Sequence, residues 1–355
     1  MGLVPVGTPR SDALWFGTGV HIALAEWYKH NGKRRGPYPS ETFEAWAEGE
    51  IRWIKTAQKS AAGNGLDSII EEKLVPAKQL GIAMLEGYVK EWGKDPHWSI
   101  IAREHSGQID ITDPNEVDKL LVIYAFTYDG VTRDLNTGNI ELIEHKTAQA
   151  ISTDHLPLDD QAGSYWAIAS QELAASGLIK PTERISGIRY NFLRKALPDD
   201  RPKTTDGHAT NKPVKDHFIA ALKADGAPEP TGKAWEKLTL VTLQEMASYR
   251  KLTVLGEISK IQPKPLFERE LVRRTAKERA TQIRRIQDEA LWMREVREGR
   301  LPLIKNPTNN CQWDCDFYAM CQLDEAGDPQ GVREYRAEVY ARQDPYADHR
   351  KSTEE

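Results

Sequence analysis

Cysteine is scarce, with three in 355 residues, all between positions 311 and 321. A disulfide framework spread along the chain is therefore excluded, and thiols grouped this way suit a metal site or a reducing compartment. Nowhere does an apolar run approach the roughly 20 residues that a membrane helix requires. The opening Met1-Gly2-Leu3-Val4-Pro5-Val6-Gly7 lacks the basic and apolar regions of a secretion signal, so a soluble, cytoplasmic protein without a membrane partner is expected. Positive charge is not in excess either: 48 Lys and Arg face 53 Asp and Glu, a net charge of -5. Any surface for a polyanion must then be local.

What is present is enough for a globular core: 39% hydrophobic residues, 10 Trp and 12 Tyr among them. At about 150 residues per domain, the length allows one decorated domain or two ordinary ones. Leu14, Ala23, Leu24 and Trp27, behind a cap-like Ser11-Asp12, predict a helix or helix pair interrupted at Gly17 and Gly19. A basic loop over 31–40 follows, and further helices are expected over 41–92. The period then changes. Segments 99–109, 120–132 and 140–146 are rich in β-branched and aromatic residues, and Asp134-Leu135-Asn136-Thr137-Gly138 is a turn signal. Three antiparallel strands, an amphipathic helix over 159–173 and a fourth strand over 185–192 predict an α/β sandwich.

Five prolines between 197 and 232 break this order and mark an insertion, with short helices expected over 214–224 and 242–249. After Pro265 a long helix is expected to run to about Arg297 on a stripe of Val272, Ala276, Ala280, Ile283, Ile286, Ala290 and Met293. Between Lys264 and Arg300, 11 Lys and Arg face 7 Asp and Glu. A solvated helix face explains that excess more simply than nucleic-acid binding does.

The segment with most chemical content is Tyr128-Asp129-Gly130 followed by Ile143-Glu144-His145-Lys146-Thr147. On a strand, Glu144 and Lys146 share the face of Ile140 and Leu142. Charge on an apolar face calls for a partner or a metal. A Glu–Lys ion pair at the sheet end is the plain explanation. If the turn instead folds Asp129 back beside Glu144, two carboxylates offer hard oxygen ligands to Mg²⁺ or Mn²⁺, and Lys146 can orient or deprotonate a water. Glu104, on the preceding strand, reads as a surface charge.

These residues resemble the catalytic motif of the PD-(D/E)XK nuclease superfamily. Gly17-Thr18-Gly19-Val20-His21, followed by Leu24 and Glu26, resembles the GxxxH motif of its RecB-type branch. Gln161-Ala162-Gly163-Ser164-Tyr165 resembles the QxxxY motif of the same branch, and Cys311, Cys315 and Cys321 resemble the closing cysteine segment of CRISPR-associated and many phage-encoded exonucleases. The resemblance implies a restriction-endonuclease-like core, a central mixed four-stranded sheet flanked by helices, with helical insertions. It implies a nuclease domain over 1–196 and 264–325, a helical insertion over 197–263 and a polar tail over 326–355. His21, Asp129 and Glu144 are implied metal ligands. Lys146, Gln161 and Tyr165 complete the implied catalytic set, the last two beside the metal site or the DNA.

The implied activity is a Mg²⁺- or Mn²⁺-dependent DNA exonuclease of phage recombination, repair or processing, with DNA as substrate and a single-strand annealing or recombination protein as partner. The competing class is a nucleic-acid-binding protein that keeps the fold without catalysis, whose mark would be a lost ligand or lysine. Iron–sulfur members of the family use four thiolates. This chain has three, with a wider first spacing, which argues against an intact cluster and for buried or vestigial thiols.

Overall fold

The computed structural model describes residues 2–5, 12–30, 35–57, 70–230, 234–308 and 311–343. Ser11, expected as a helix cap, lies outside them, as do 31–34 of the basic loop, 58–69 of the helical stretch and the tail from 344 onward. Two compact units are present, one formed by 1–196 with 267–355, the other by 197–266.

The larger unit is α/β. Strand β1 (Gly2–Pro5) precedes helices α1 (Asp12–Trp27), α2 (Pro39–Ala57) and α3 (Val75–Trp92). There follow β2 (Trp98–Asp113), β3 (Glu116–Asp134), β4 (Ile140–Ala148), α4 (Asp160–Ala175) and β5 (Ile185–Arg194). The main sheet has five strands. β2, β3 and β4 form an antiparallel meander, α4 carries the chain across to β5 parallel to β4, and β6 (Phe267–Val272) closes the edge antiparallel to β5.

Helix α1 is continuous through both glycines. A Cβ on Gly19 would lie 2.3 Å from the Trp46 ring, so that glycine sets how closely α1 packs on α2. The hairpin between β3 and β4 turns on Asp134, whose Oδ1 accepts the Asn136 and Thr137 amides, and on Gly138 at φ +75°. One sheet face, with Trp98, Ile143 and Leu193, packs on the Phe16, Val20, Leu24 and Tyr88 side chains of α1 and α3. The other, with Val131, Leu142, Ile188 and Phe192, packs on Trp166, Ala169 and Leu173 of α4. Covered on both faces, β4 is buried from Ile140 to His145.

Two expectations change. The sheet has a fifth strand, because 267–272 pairs with β5 and does not begin the long helix. That helix, Ala276–Arg297, starts where Thr275 and Glu278 form a capping box, each side chain taking the other's backbone amide. Part of the stretch expected as a polar tail is also ordered: Pro329–Val339 is a helix, and Tyr340–Gln343 pairs with β1. The smaller unit has its own core of Phe218, Leu222, Trp235 and Leu243, with helices Lys215–Ala224 and Leu240–Tyr249. No helix among the described residues is long and apolar enough to cross a membrane.

Candidate active site

β3 and β4 pair only from Gly130–Ile143 to Arg133–Ile140. Past Gly130 the two strands part, β3 staying with β2 and β4 with β5. Asp129 and Glu144 stand at this fork. The fork leaves the His145 amide without a ladder partner, and Asp129 Oδ2 accepts it at 2.7 Å.

From α1, His21 reaches the same point. Its Nδ1 lies 3.3 Å from Asp129 Oδ1, and its Nε2 lies 3.1 Å from the His145 carbonyl oxygen. Both neighbours are acceptors, so both ring nitrogens carry hydrogen and the ring is an imidazolium. Burial opposes that charge, but the Asp129 carboxylate overrides it and lifts the His21 pKa to about 9. Burial also works against Asp129, yet His21 and the His145 amide hold its pKa below the usual carboxylate range.

Glu104 completes the group. It sits on β2 with φ +42°, opposite the fork, where the register passes from Arg103–Gly130 to His105–Tyr128. Its Oε1 is buried without a hydrogen-bond partner, and burial, with Asp129 close by, pushes its pKa up to about 7. Donor atoms of His21, Glu104 and Asp129 lie within 4.8 Å of one another, the one such group of His, Cys, Asp and Glu among the described residues. Glu104 is thus no surface charge. A cavity of about 550 Å³ opens beside it, bordered by Gly17, Thr18, His21, Arg103 and Glu104.

The remaining predicted residues form a second line. Lys146 Nζ donates to Glu144 Oε1 at 2.6 Å and to Gln161 Oε1 at 3.3 Å, and Gln161 Nε2 donates to the Tyr165 hydroxyl at 3.1 Å. Gln161 and Tyr165 are one turn apart on α4, whose first turn Asp159 caps through the Ala162 amide. Glu144 is raised to about 7 by burial and then by Asp129. Burial works against the Lys146 charge, but Glu144 more than compensates and raises its pKa. Burial lifts Tyr165 to about 12.

Behind the fork lies a polar cage that pattern reading missed. Asp95 and Arg269 form a buried ion pair, Nη1 to Oδ1 at 2.7 Å, with the guanidinium 4.2 Å from the ring centroids of both Trp92 and Trp98. Tyr28 donates to Asp95, Arg269 donates to the Tyr88 hydroxyl and to Asn191 Oδ1, and Asn191 Nδ2 donates to His145 Nδ1 at 2.8 Å. His145 is therefore neutral, its pKa driven by burial down to about 3. Asp95 lies in the connection before β2, Asn191 on β5 and Arg269 on β6, so no local motif marks them. Glu104 carried one faint signal, its place across the hairpin from Asp129.

A scan against protein-family models finds no match to this chain, and a search of curated proteins finds none either.

Two carboxylates, one of them with a buried oxygen that has no partner, and an imidazole fit a hard divalent cation at the fork. The cysteines do not fit a four-iron cluster. Cys311, Cys315 and Cys321 are free thiols whose sulfurs form no such close group, and they are not buried as expected: Cys311 and Cys321 are half-buried, Cys315 is exposed, and Cys311 Sγ is engaged by the Thr308 amide.

Proposed function

We propose that the chain is a divalent-metal-dependent deoxyribonuclease built on a PD-(D/E)XK-like core, acting as an exonuclease in DNA recombination, repair or processing of the phage type. The observation that carries this reading is the Glu144–Lys146 pair on the doubly buried β4, facing Asp129 across the fork of the sheet. A buried strand is a costly place for Glu144, with Lys146 half-buried beside it, and phosphodiester hydrolysis gives each of them work. The helix, three-strand, helix, strand order and the five-stranded mixed sheet accord with it.

His21, Glu104, Asp129 and Glu144 would hold Mg²⁺ or Mn²⁺. Bound there, the cation would acidify a water and offset charge on the phosphoryl oxygens. Asp129 is kept ionised by His21 and the His145 amide, and so is ready to act as an oxygen ligand. Lys146, steadied by Gln161, presents its ammonium to the attacking water or to a non-bridging oxygen as negative charge builds. The Gln161–Tyr165 bond keeps the amide turned so that its oxygen faces Lys146. An annealing or recombination protein is the natural partner for such an activity.

The test is incubation of end-labelled single- and double-stranded DNA with the protein, with Mn²⁺ or with chelator. Progressive release of nucleotides with Mn²⁺ alone is expected. Labelled DNA that stays full-length in Mn²⁺ would overturn the reading.

A further inference from the structure

The first turn of α4 carries Gln161 toward Lys146 on one face and is held from outside on another. Arg274, in the link between β6 and the long helix Ala276–Arg297, lays its guanidinium against Gly163. A Cβ at Gly163 would lie 2.1 Å from Nη1 and 2.6 Å from Cζ, so a glycine is what admits it. Nη2 donates to the Asp159 carbonyl at 2.6 Å, the same oxygen that takes the Gly163 amide, and Nη1 donates to Gln282 Oε1 at 3.2 Å. Gln282, on the long helix and 4% exposed, turns its other end to α4. Its Nε2 donates to Ser164 Oγ at 3.0 Å and to Asp160 Oδ1 at 3.3 Å. Arg285, three residues on, pairs with Asp160.

A positive charge is misplaced there on electrostatic grounds. The first turn of a helix is the positive end of its dipole, and Arg274 adds to it. Burial adds a further cost, because Nε of Arg274 is buried without an acceptor and both Gln282 and Ser164 are buried. Packing alone would be served by an apolar side chain without that cost.

The use of the contact lies two residues away. Lys146 Nζ is shared between Glu144 Oε1, oppositely charged and at 2.6 Å, and Gln161 Oε1, neutral and at 3.3 Å. Helix ends fray, and Gln161 is the second residue of α4. A first turn that loosened would leave the ammonium to the stronger partner. The Tyr165 hydroxyl orients the Gln161 amide but belongs to the same helix, so the anchor has to come from elsewhere in the fold.

We infer that Arg274 is a positioning residue for the catalytic lysine: set flat on Gly163 and joined to Gln282, it clamps the first turn of α4 so that Gln161 keeps Lys146 from closing onto Glu144 alone. The consequence for turnover rests on the nuclease reading, and the clamp itself does not.

The experiment follows cleavage of labelled DNA in Mn²⁺ by the full chain, by Arg274→Met, Gly163→Ala and Gln161→Ala, and by Arg274→Met combined with Gln161→Ala. Amide hydrogen exchange is measured on the same proteins without metal. Gly163→Ala displaces the guanidinium from the other side while favouring the helix, and so covers a failure of Arg274→Met to fold. In both variants kcat is expected to fall about 10- to 100-fold with KM and Mn²⁺ affinity unchanged. The Ala162 amide, bonded to Asp159 Oδ1, should exchange faster in both. In the Gln161→Ala background, Arg274→Met should cost no further turnover, since it acts through Gln161. Losses that multiply in the double variant, a change confined to KM, or normal turnover beside faster exchange would each overturn the inference. If the parent chain cuts no DNA, the nuclease reading fails and exchange at Ala162 decides alone: faster exchange in both variants upholds the clamp, and unchanged exchange removes it.

Discussion

Asn191 on β5 donates to His145 Nδ1 across 2.8 Å, and through that bond a buried cage reaches the middle of the Glu144–Lys146 segment. The main chain of His145 serves the site twice: its amide holds Asp129, and its carbonyl accepts from His21. The backbone of one residue thus places two of the four proposed cation ligands. Glu144 and Lys146, its neighbours on either side, face α4.

Lys146→Ala is expected to fold normally and to lose about 10² to 10³ in turnover, the usual cost of removing one group that stabilises transition-state charge. Lys146 is partly exposed, so its loss leaves no cavity in the core. Single-turnover cleavage at saturating Mn²⁺, set beside the melting temperature, checks both halves. Near-normal turnover would remove Lys146 from the mechanism.

Glu104→Gln should stabilise the chelator-treated protein above neutral pH. In the folded state Glu104 keeps its proton up to about pH 7, against an ordinary 4.5 when unfolded. Stability from that proton is complete below pH 4.5 and is lost as pH rises through 7, to a limit of about 3 kcal/mol. Urea unfolding at pH 4.5 and pH 8 should show the variant gaining on the parent only at pH 8, while Mn²⁺ affinity falls. An equal difference at both pH values would count against the buried, unpaired carboxylate.

Mn²⁺ binding should release a proton at pH 8. His21 donates from both ring nitrogens and titrates near 9, so coordination through either one requires deprotonation. Affinity should therefore drop about tenfold per pH unit between 9 and 7, and more steeply below 7 as Glu104 and Glu144 take up protons. Calorimetry in two buffers of different ionisation enthalpy measures the proton count. A count of zero at pH 8 would exclude His21 as a ligand.

Arg269→Met should destabilise the fold by about 3–5 kcal/mol, because Asp95 would be left as a buried charge without its partner. Asp95→Asn combined with Arg269→Met should recover part of that loss. Chemical denaturation of the three variants gives the comparison, and equal stability of single and double variants would deny the coupling.

The sheet and the site were legible to different degrees. Strand alternation placed β2 to β5 and the turn at Gly138, because one apolar period runs through each of them. The edge strand Phe267–Val272 was hidden, since Glu268, Arg269 and Glu270 break its alternation and its run of charge reads equally well as a solvated helix. Arg269 is in fact turned inward to Asp95, a contact across 174 residues that no window of sequence spans. The Glu144–Lys146 spacing announced itself by putting charge on an apolar face. Glu104 did not, because its burial depends on a backbone irregularity, the positive φ at that residue.

Successive residues of β4 serve opposite sides of the sheet, Glu144 and Lys146 toward α4 and His145 toward the cage, with His145 level with Asn191 and Lys146 with Phe192. A slip of one residue along β5 would turn Lys146 into the cage beside Arg269 and carry the imidazole to Gln161, exchanging every partner at once. The centre is then lost as a whole in the slipped register. Turnover per molecule would then double as a folding assay, counting the fraction of chains whose central strand has docked in the native register.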